Sequence, residues 1–383
     1  MHAHLNAKVQ GVLEAAVADG RHRGLQAAAY RHGALIVDAC AGTLGPGDDR
    51  PVQADSLFSS YSTTKGVAAA ALHLLADRGL LQYDVPVAKY WPAFAANGKA
   101  DVTVAQAMSH QAGLHTTPRP PRPFVLDWQQ GVDYIAALAP AWEPGTATGY
   151  HAVTYGWIVG GIVENASGRH ISDVIEHELA RPLGIAGELY VGIPDGVEHR
   201  LTTLEEPEPL PPGTPDPVAA LPPDHDYFKA MGVVPSLDFN ELAIRRARLP
   251  SANGHFTARA LARLYGALAN GGEIDGVRLV SKERIAEMQR VQTELPDRVL
   301  FGLKIPKAIG FWAGGLWSPR GLPSFMGARR TAFGHPGRGG SAAWADPDAG
   351  LSVAVTVNKL QPTIFGGGIA FDVGELIREE LGS

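Results

Sequence analysis

Cysteine is almost absent. Cys40 stands alone among 383 residues, which excludes an intrachain disulfide and any cysteine-based metal site. Basic charge is also in short supply: 33 Lys and Arg against 39 Asp and Glu give a formal net charge of −6. Such a balance offers no basic face to nucleic acid and no polybasic patch to a membrane surface. Long apolar runs are missing as well, and no stretch reaches the roughly 18 uninterrupted apolar residues that a membrane span requires. The histidines hold no metal spacing: His2 and His4 pair only at a terminus, no helix carries two histidines four apart, His170 and His177 are seven apart, and His225 stands alone in a loop. These absences predict a protein with no metal and no cofactor, acting on small-molecule partners, with no nucleic acid and no membrane. The first residues, "MHAHLNAKVQGVLEAAVADG", lack the positive start and apolar core of a secretion signal, so a cytoplasmic address is expected.

Apolar content is ample, at 45% of residues, and suits one large domain or two interleaved ones. Leu5, Val9, Val12, Leu13 and Ala16 recur at helical spacing. "LQAAAY" (25–30) and "ALIVDA" (34–39), parted by "RHG", read as an antiparallel hairpin. "RTAFGHPG", "GSAAWADPDAG" and "LSVAVTVNK" near the other end read as strands, and "IAFDVGELIREELGS" as a closing helix. Helices are expected at about 66–79, 131–138, 154–166, 171–180 and 257–271, several ended by glycine. Strand signals at both ends and helical signals between them suggest one sheet assembled from both chain ends. Two proline-dense insertions, 116–124 and 205–226, cannot sustain helix or central strand and read as loops.

The chemistry is concentrated in "FSSYSTTKGVAA" (58–69). Residues three apart on a helix share a face, so Ser62 and Lys65 can bring a hydroxyl and an amine together. The positive end of the helix would favour a developing oxyanion, and a lysine neutralised by burial could take the serine proton. Alone, the same spacing also fits a helix cap followed by a solvated lysine.

The wider context resembles the serine β-lactamase-like hydrolases, the superfamily of class C β-lactamases and penicillin-binding proteins. "LFSSYSTTKGVAAAALHLLADRGLLQYDVPVAKYWPAF" is similar to its nucleophile segment, and "VTVAQAMSHQAGL" (102–114) to the segment that follows. "WEPGTATGYHAVTYGWIVGGIVENASGR" (142–169) resembles its second motif region and "GHPGRGGSAAWADPDAGLSVAVTVNK" (334–359) its third. The resemblance implies an α+β fold, with an antiparallel sheet from 1–60 and 275–383 flanked by the terminal helices and a mainly helical domain over 61–274. It also implies Ser62 as nucleophile, Lys65 as its activator and Tyr150 as the catalytic tyrosine. His335 falls where penicillin-recognising enzymes carry the lysine of Lys-Thr-Gly, either to orient the tyrosine, to bond a substrate carbonyl or as a strand-edge residue. Backbone amides of Ser62 and Arg338, next to Gly337, would form the oxyanion hole, and His151 is a substrate-binding candidate. After Tyr150 the chain reads His151-Ala152, so the Asn of the usual Tyr-x-Asn is missing. With His for Lys in the third motif, lactam and peptide substrates lose anchors, and the combination looks like family VIII carboxylesterases and related acyltransferases. The expected function is a serine hydrolase cleaving carboxylic esters through a Ser62 acyl-enzyme. The alternatives are a transacylase of secondary metabolism, then a β-lactamase, a D-aminopeptidase or an inactive binding module.

Three decoys are set aside. Ser341 in "GGSAA" is followed by strand rather than helix signals, so a structural role is expected. Ser109 and His110, adjacent in sequence, project apart and are expected to fix the loop behind the nucleophile. "NAS" at 165–167 matches a glycosylation sequon but carries little meaning without secretion. Of Trp142, Trp157, Trp312, Trp317 and Phe124, sequence assigns Trp157 to the core and leaves the rest open between core and cleft.

Overall fold

The computed structural model describes residues 2–209, 213–214, 216, 218–232, 237–317, 323–362 and 368–382. Part of the second proline-dense insertion, 210–212, 215 and 217, therefore lies outside the described residues.

Helix α1 (His2–Ala18) buries Leu5, Val9, Leu13 and Ala16 along one side. The hairpin follows as β1 (Gly24–Arg31) and β2 (Ala34–Gly45). His32 and Gly33 both take left-handed φ, 48° and 79°, which is the backbone a tight two-residue hairpin turn requires. Next come β3 (Asp48–Pro51), helix α2 (Thr64–Asp77), helix α3 (Thr154–Ser167) and helix α4 (Ala258–Ala269). The chain then returns to the sheet with β4 (Trp312–Ala313), β5 (Phe333–Pro336), β6 (Ala342–Asp346) and β7 (Leu351–Val357), and closes with α5 (Ile369–Leu381). The stretch expected as a helix at 171–180 is α-helical only over Ile171–Val174 and continues as a wider π-type turn over Ile175–Ala180.

Seven antiparallel strands make one sheet in the order β3-β2-β1-β7-β6-β5-β4. Its central pair joins the two ends of the chain, with Leu25 opposite Val357 and Ala29 opposite Val353. All of β7 is buried, because both faces of the sheet are covered. On one face Trp344 of β6 meets Gly374 of α5, and α1 packs beside α5 onto β2. On the other, Tyr30 and Ser352 meet Gly266 of α4, so this helix, counted from sequence with the helical part, lies directly on the sheet.

Helix α2 is buried from Thr64 through Ala76, as its alanine-rich, apolar-all-round sequence requires of a core helix. It comes so close to α4 that a Cβ on Gly66 would lie 1.9 Å from the Tyr265 hydroxyl. A three-stranded sheet of Phe58–Ser59, Gly254–Phe256 and Leu189–Val191 feeds the chain into its start. Helix α2 also packs against β5. The buried helix and the sheet edge thus meet at the turn that carries Ser62.

Candidate active site

The helix opens at Thr64 with Thr63 as its N-cap, so Ser62 lies just outside it rather than in its first turn. The three-residue relation survives because the Lys65 N–H donates to the Ser62 carbonyl at 2.9 Å. Tyr61 takes a left-handed φ of 44°, and in the run from Ser60 to Lys65 only Ser62 is not buried. The turn therefore presents one hydroxyl outward and keeps everything around it dry.

Lys65 is 0% exposed. Its Nζ lies 3.0 Å from Ser62 Oγ, 2.7 Å from the Ala152 carbonyl and 2.8 Å from the Ser251 carbonyl. Burial pushes the amine well below the ordinary lysine range, because water no longer solvates the charged form. A neutral amine has two N–H bonds and one lone pair, and carbonyl oxygens can only accept. The two N–H groups go to Ala152 and Ser251, which leaves the lone pair for the Ser62 hydroxyl proton. Sequence reasoning missed both carbonyls, since backbone atoms leave no signal in residue types.

Tyr150 is held ahead of α3 by its own amide, which donates to Asp297 Oδ1 at 3.1 Å. Its hydroxyl faces the Ser62 side chain, which acts to lower its pKa, and Lys65 Nζ sits 4.9 Å from its ring centroid. Burial raises its pKa strongly and the Asp297 charge adds to this, against the opposing influence of Ser62, so the group is a phenol at neutral pH. Its ring is packed by His110 at 5.0 Å, Trp312 at 5.5 Å and His335 at 5.9 Å between centroids.

Asp297 is a residue that sequence reasoning passed over. It is fully buried, pairs with the fully buried Lys307 at 2.9 Å, and accepts N–H groups from Val299 and Leu300 at 2.8 Å each. Burial opposes its charge, but Lys307 and the backbone donors outweigh that and hold the carboxyl below the usual range. Its segment, "TELPDRVLFGLK", has no periodicity or motif that would have marked it.

His335, on β5, bonds the Pro336 carbonyl through Nδ1 at 2.8 Å, which fixes the proton on that nitrogen. Burial keeps the ring neutral, and a proton arriving on the nearby Lys65 would reinforce this. Nε2 is buried without a partner among the described residues, so it is an acceptor and brings no positive charge. Gly337 backs onto the nucleophile turn so tightly that a Cβ there would lie 2.3 Å from the Ser60 carbonyl. Arg338 follows, and among the described residues neither its amide nor that of Ser62 has a protein acceptor. Its side chain turns away to Glu206.

Ser62, Lys65, Tyr150, His335, Gly337 and the Arg338 backbone are thus gathered around one turn. His151 is not among them. Its Nδ1 bonds the Gly149 carbonyl at 2.7 Å and its Nε2 accepts the Leu114 N–H at 2.9 Å, leaving no ring nitrogen for a substrate. His110 accepts the His151 N–H through Nδ1, and Ser109 Oγ donates to the Ala105 carbonyl, so both hold the loop. Ser341 Oγ accepts the Val357 N–H between strands. Trp157 is a core residue, whereas Trp312 belongs to the site through its contacts with Tyr150 and His335.

A sheet clasped by terminal helices, with a buried helix opening on the reactive turn, is the β-lactamase/transpeptidase-like fold. The chain belongs to the Beta-lactamase family, whose model matches residues 9–369. It is 37% identical over 348 residues to Esterase/beta-lactamase LipL of Mycobacterium tuberculosis, covering 89% of this chain and 78% of that one. The crystal structure of a family VIII carboxylesterase superposes with a TM-score of 0.88 at 34% identity, covering 98% of this chain and 97% of that one. A penicillin-binding protein homolog from Caulobacter crescentus gives a TM-score of 0.86 at 36% identity over the same shares, 98% and 97%. The α+β, lactamase-like fold expected from sequence is the one found. Among the described residues no helix is long and apolar enough to cross a membrane.

Proposed function

We propose that the protein hydrolyses small carboxylic esters through an acyl-enzyme on Ser62. The observation that carries this reading is the Lys65 amine, whose two N–H groups are taken up by the Ala152 and Ser251 carbonyls while its remaining valence faces Ser62 Oγ at 3.0 Å. Lys65 removes the Ser62 proton as Oγ attacks the ester carbonyl, and the amides of Ser62 and Arg338 receive the oxyanion. Tyr150, kept as a phenol, protonates the departing alkoxide and is recharged by the lysine ammonium, which lies over its ring. Water then enters and the same groups, run in reverse, release the acid.

The substrate class follows from what the site does without. At position 152 an alanine supplies no side-chain amide to grip a substrate amide, and the neutral His335 supplies no cation for a lactam or peptide carboxylate. Esters need neither, because an alkoxide departs more readily than an amide nitrogen. The names of the relatives, an esterase/β-lactamase and a family VIII carboxylesterase, support the same class.

Brief exposure to p-nitrophenyl acetate or a fluorophosphonate, followed by peptide mass spectrometry, should give a single adduct on the peptide holding Ser62. An unmodified Ser62 in folded protein would rule the reading out. Tyr150→Phe should lower kcat/KM for the same ester by about a hundred-fold or more, the usual worth of a positioned proton donor. A rate near that of the unaltered protein would remove the phenol from the mechanism.

A further inference from the structure

Lys65 and His335 are both held neutral, yet a permanent cation stands at the same turn. The Arg338 guanidinium lies over the Tyr61 ring, 5.6 Å from its centroid, with Nη1 3.3 Å from the Tyr61 hydroxyl. Tyr61 directly precedes Ser62, so a free Arg338 would offer a substrate carboxylate an anchor next to the scissile bond. It is not free. Both of its terminal nitrogens grip Glu206, Nη1 at 2.9 Å from Oε1 and Nη2 on Oε2, in the two-pronged geometry that arginine makes best.

Glu206 is the second residue of the second proline-dense insertion, and it is delivered there by a fastened backbone rather than a loose one. The preceding Glu205 donates its N–H to the Asn358 carbonyl at 2.8 Å, accepts the Leu360 N–H at 2.9 Å and pairs its carboxylate with Arg23. The Arg338–Glu206 pair is solvent-facing, with 35% and 66% of the two side chains exposed. Ion pairs that wet contribute little stability, so its main consequence is electrical. Arg338 also holds the Glu206 carboxyl below its ordinary range, which keeps the pair ionised at neutral pH.

We propose that Glu206 sets the charge preference of the site: by occupying Arg338 it withholds that cation from anionic substrates and makes the site selective for uncharged esters. This rests on the ester-hydrolase reading above and deepens it. The two side chains take no part in bond making; they decide which acyl group is welcome.

The test compares p-nitrophenyl butyrate with the p-nitrophenyl monoester of succinic acid, which is of similar length and ends in a carboxylate. The readout is the ratio of kcat/KM for the two. Glu206→Gln, which keeps the shape and removes the charge, should shift that ratio about ten-fold toward the succinate ester, chiefly through KM. The shift should shrink in high salt, as an exposed electrostatic effect does, and vanish in the Glu206→Gln/Arg338→Gln double variant. An unmoved ratio while butyrate is still turned over, or a shift that persists without Arg338, overturns the role of Glu206 alone. No turnover of butyrate by the unaltered protein, together with no adduct on Ser62, overturns the reading of the site and this proposal with it.

Discussion

Ser62→Ala is expected to abolish covalent labelling and to lower ester turnover by about ten-thousand-fold or more, the scale seen when the nucleophile of a concerted group is removed. The fold should survive. Ser62 Oγ is the partly exposed group of its turn, and the Lys65 amine keeps its two carbonyl acceptors when the hydroxyl is gone. An unchanged circular-dichroism melt beside a lost rate is the expected pair of results. A retained rate would place the nucleophile elsewhere, and Ser341 is no substitute, since its oxygen is committed to the Val357 N–H in the sheet.

Lys65→Met is expected to cost nearly as much, about a thousand-fold or more, because serine without a base is a poor nucleophile at neutral pH. Lys65→Arg should not rescue it, since a guanidinium cannot give up its proton to become the base. In the unaltered protein kcat/KM should rise with pH as Lys65 loses its proton, with the acid limb centred well below the ordinary lysine range because burial has pushed the amine down. An acid limb at the value of an exposed lysine, about 10.4, would show that the amine is not the dry group described above. Linkage supplies an independent readout. Between its depressed folded value and about 10.4, Lys65 is protonated in the unfolded chain but not in the folded one, so acidification through that window favours unfolding. The unaltered protein should therefore lose stability relative to Lys65→Met as pH falls from about 9.5 to 7, measured as denaturant midpoints at each pH. A difference that stays flat would mean that folding releases no proton from this group.

The parts of the fold legible in the sequence were those in which local pattern and tertiary role coincide. The hairpin 24–45 and the strands at 333–336, 342–346 and 351–357 carry turn residues and β-branched runs that few other structures would accept. The helix expected at about 66–79 is α2, Thr64–Asp77. Ser62, Lys65, Tyr150 and His335 could be picked out because each sits in a stretch resembling a known motif region. What escaped was set by chain elements that meet only in three dimensions. The two carbonyls that accept from Lys65 belong to an alanine and a serine with no distinguishing context. Asp297, which receives the Tyr150 amide, and Glu206, which occupies Arg338, come from irregular segments whose residue types point nowhere by themselves. His151 misled for the opposite reason: it adjoins Tyr150 in sequence, but its ring is spent on the Gly149 and Leu114 backbone.

The pairing of β1 with β7 has a bearing on how the molecule comes into being. Leu25 cannot meet Val357 until the ribosome has delivered almost everything between them, so the early hairpin must wait, half-clad, for a partner made last. A chain cut just before residue 351 has its serine and lysine but lacks the strand that joins β1 to β6. Activity in this protein therefore reports that synthesis has passed β7.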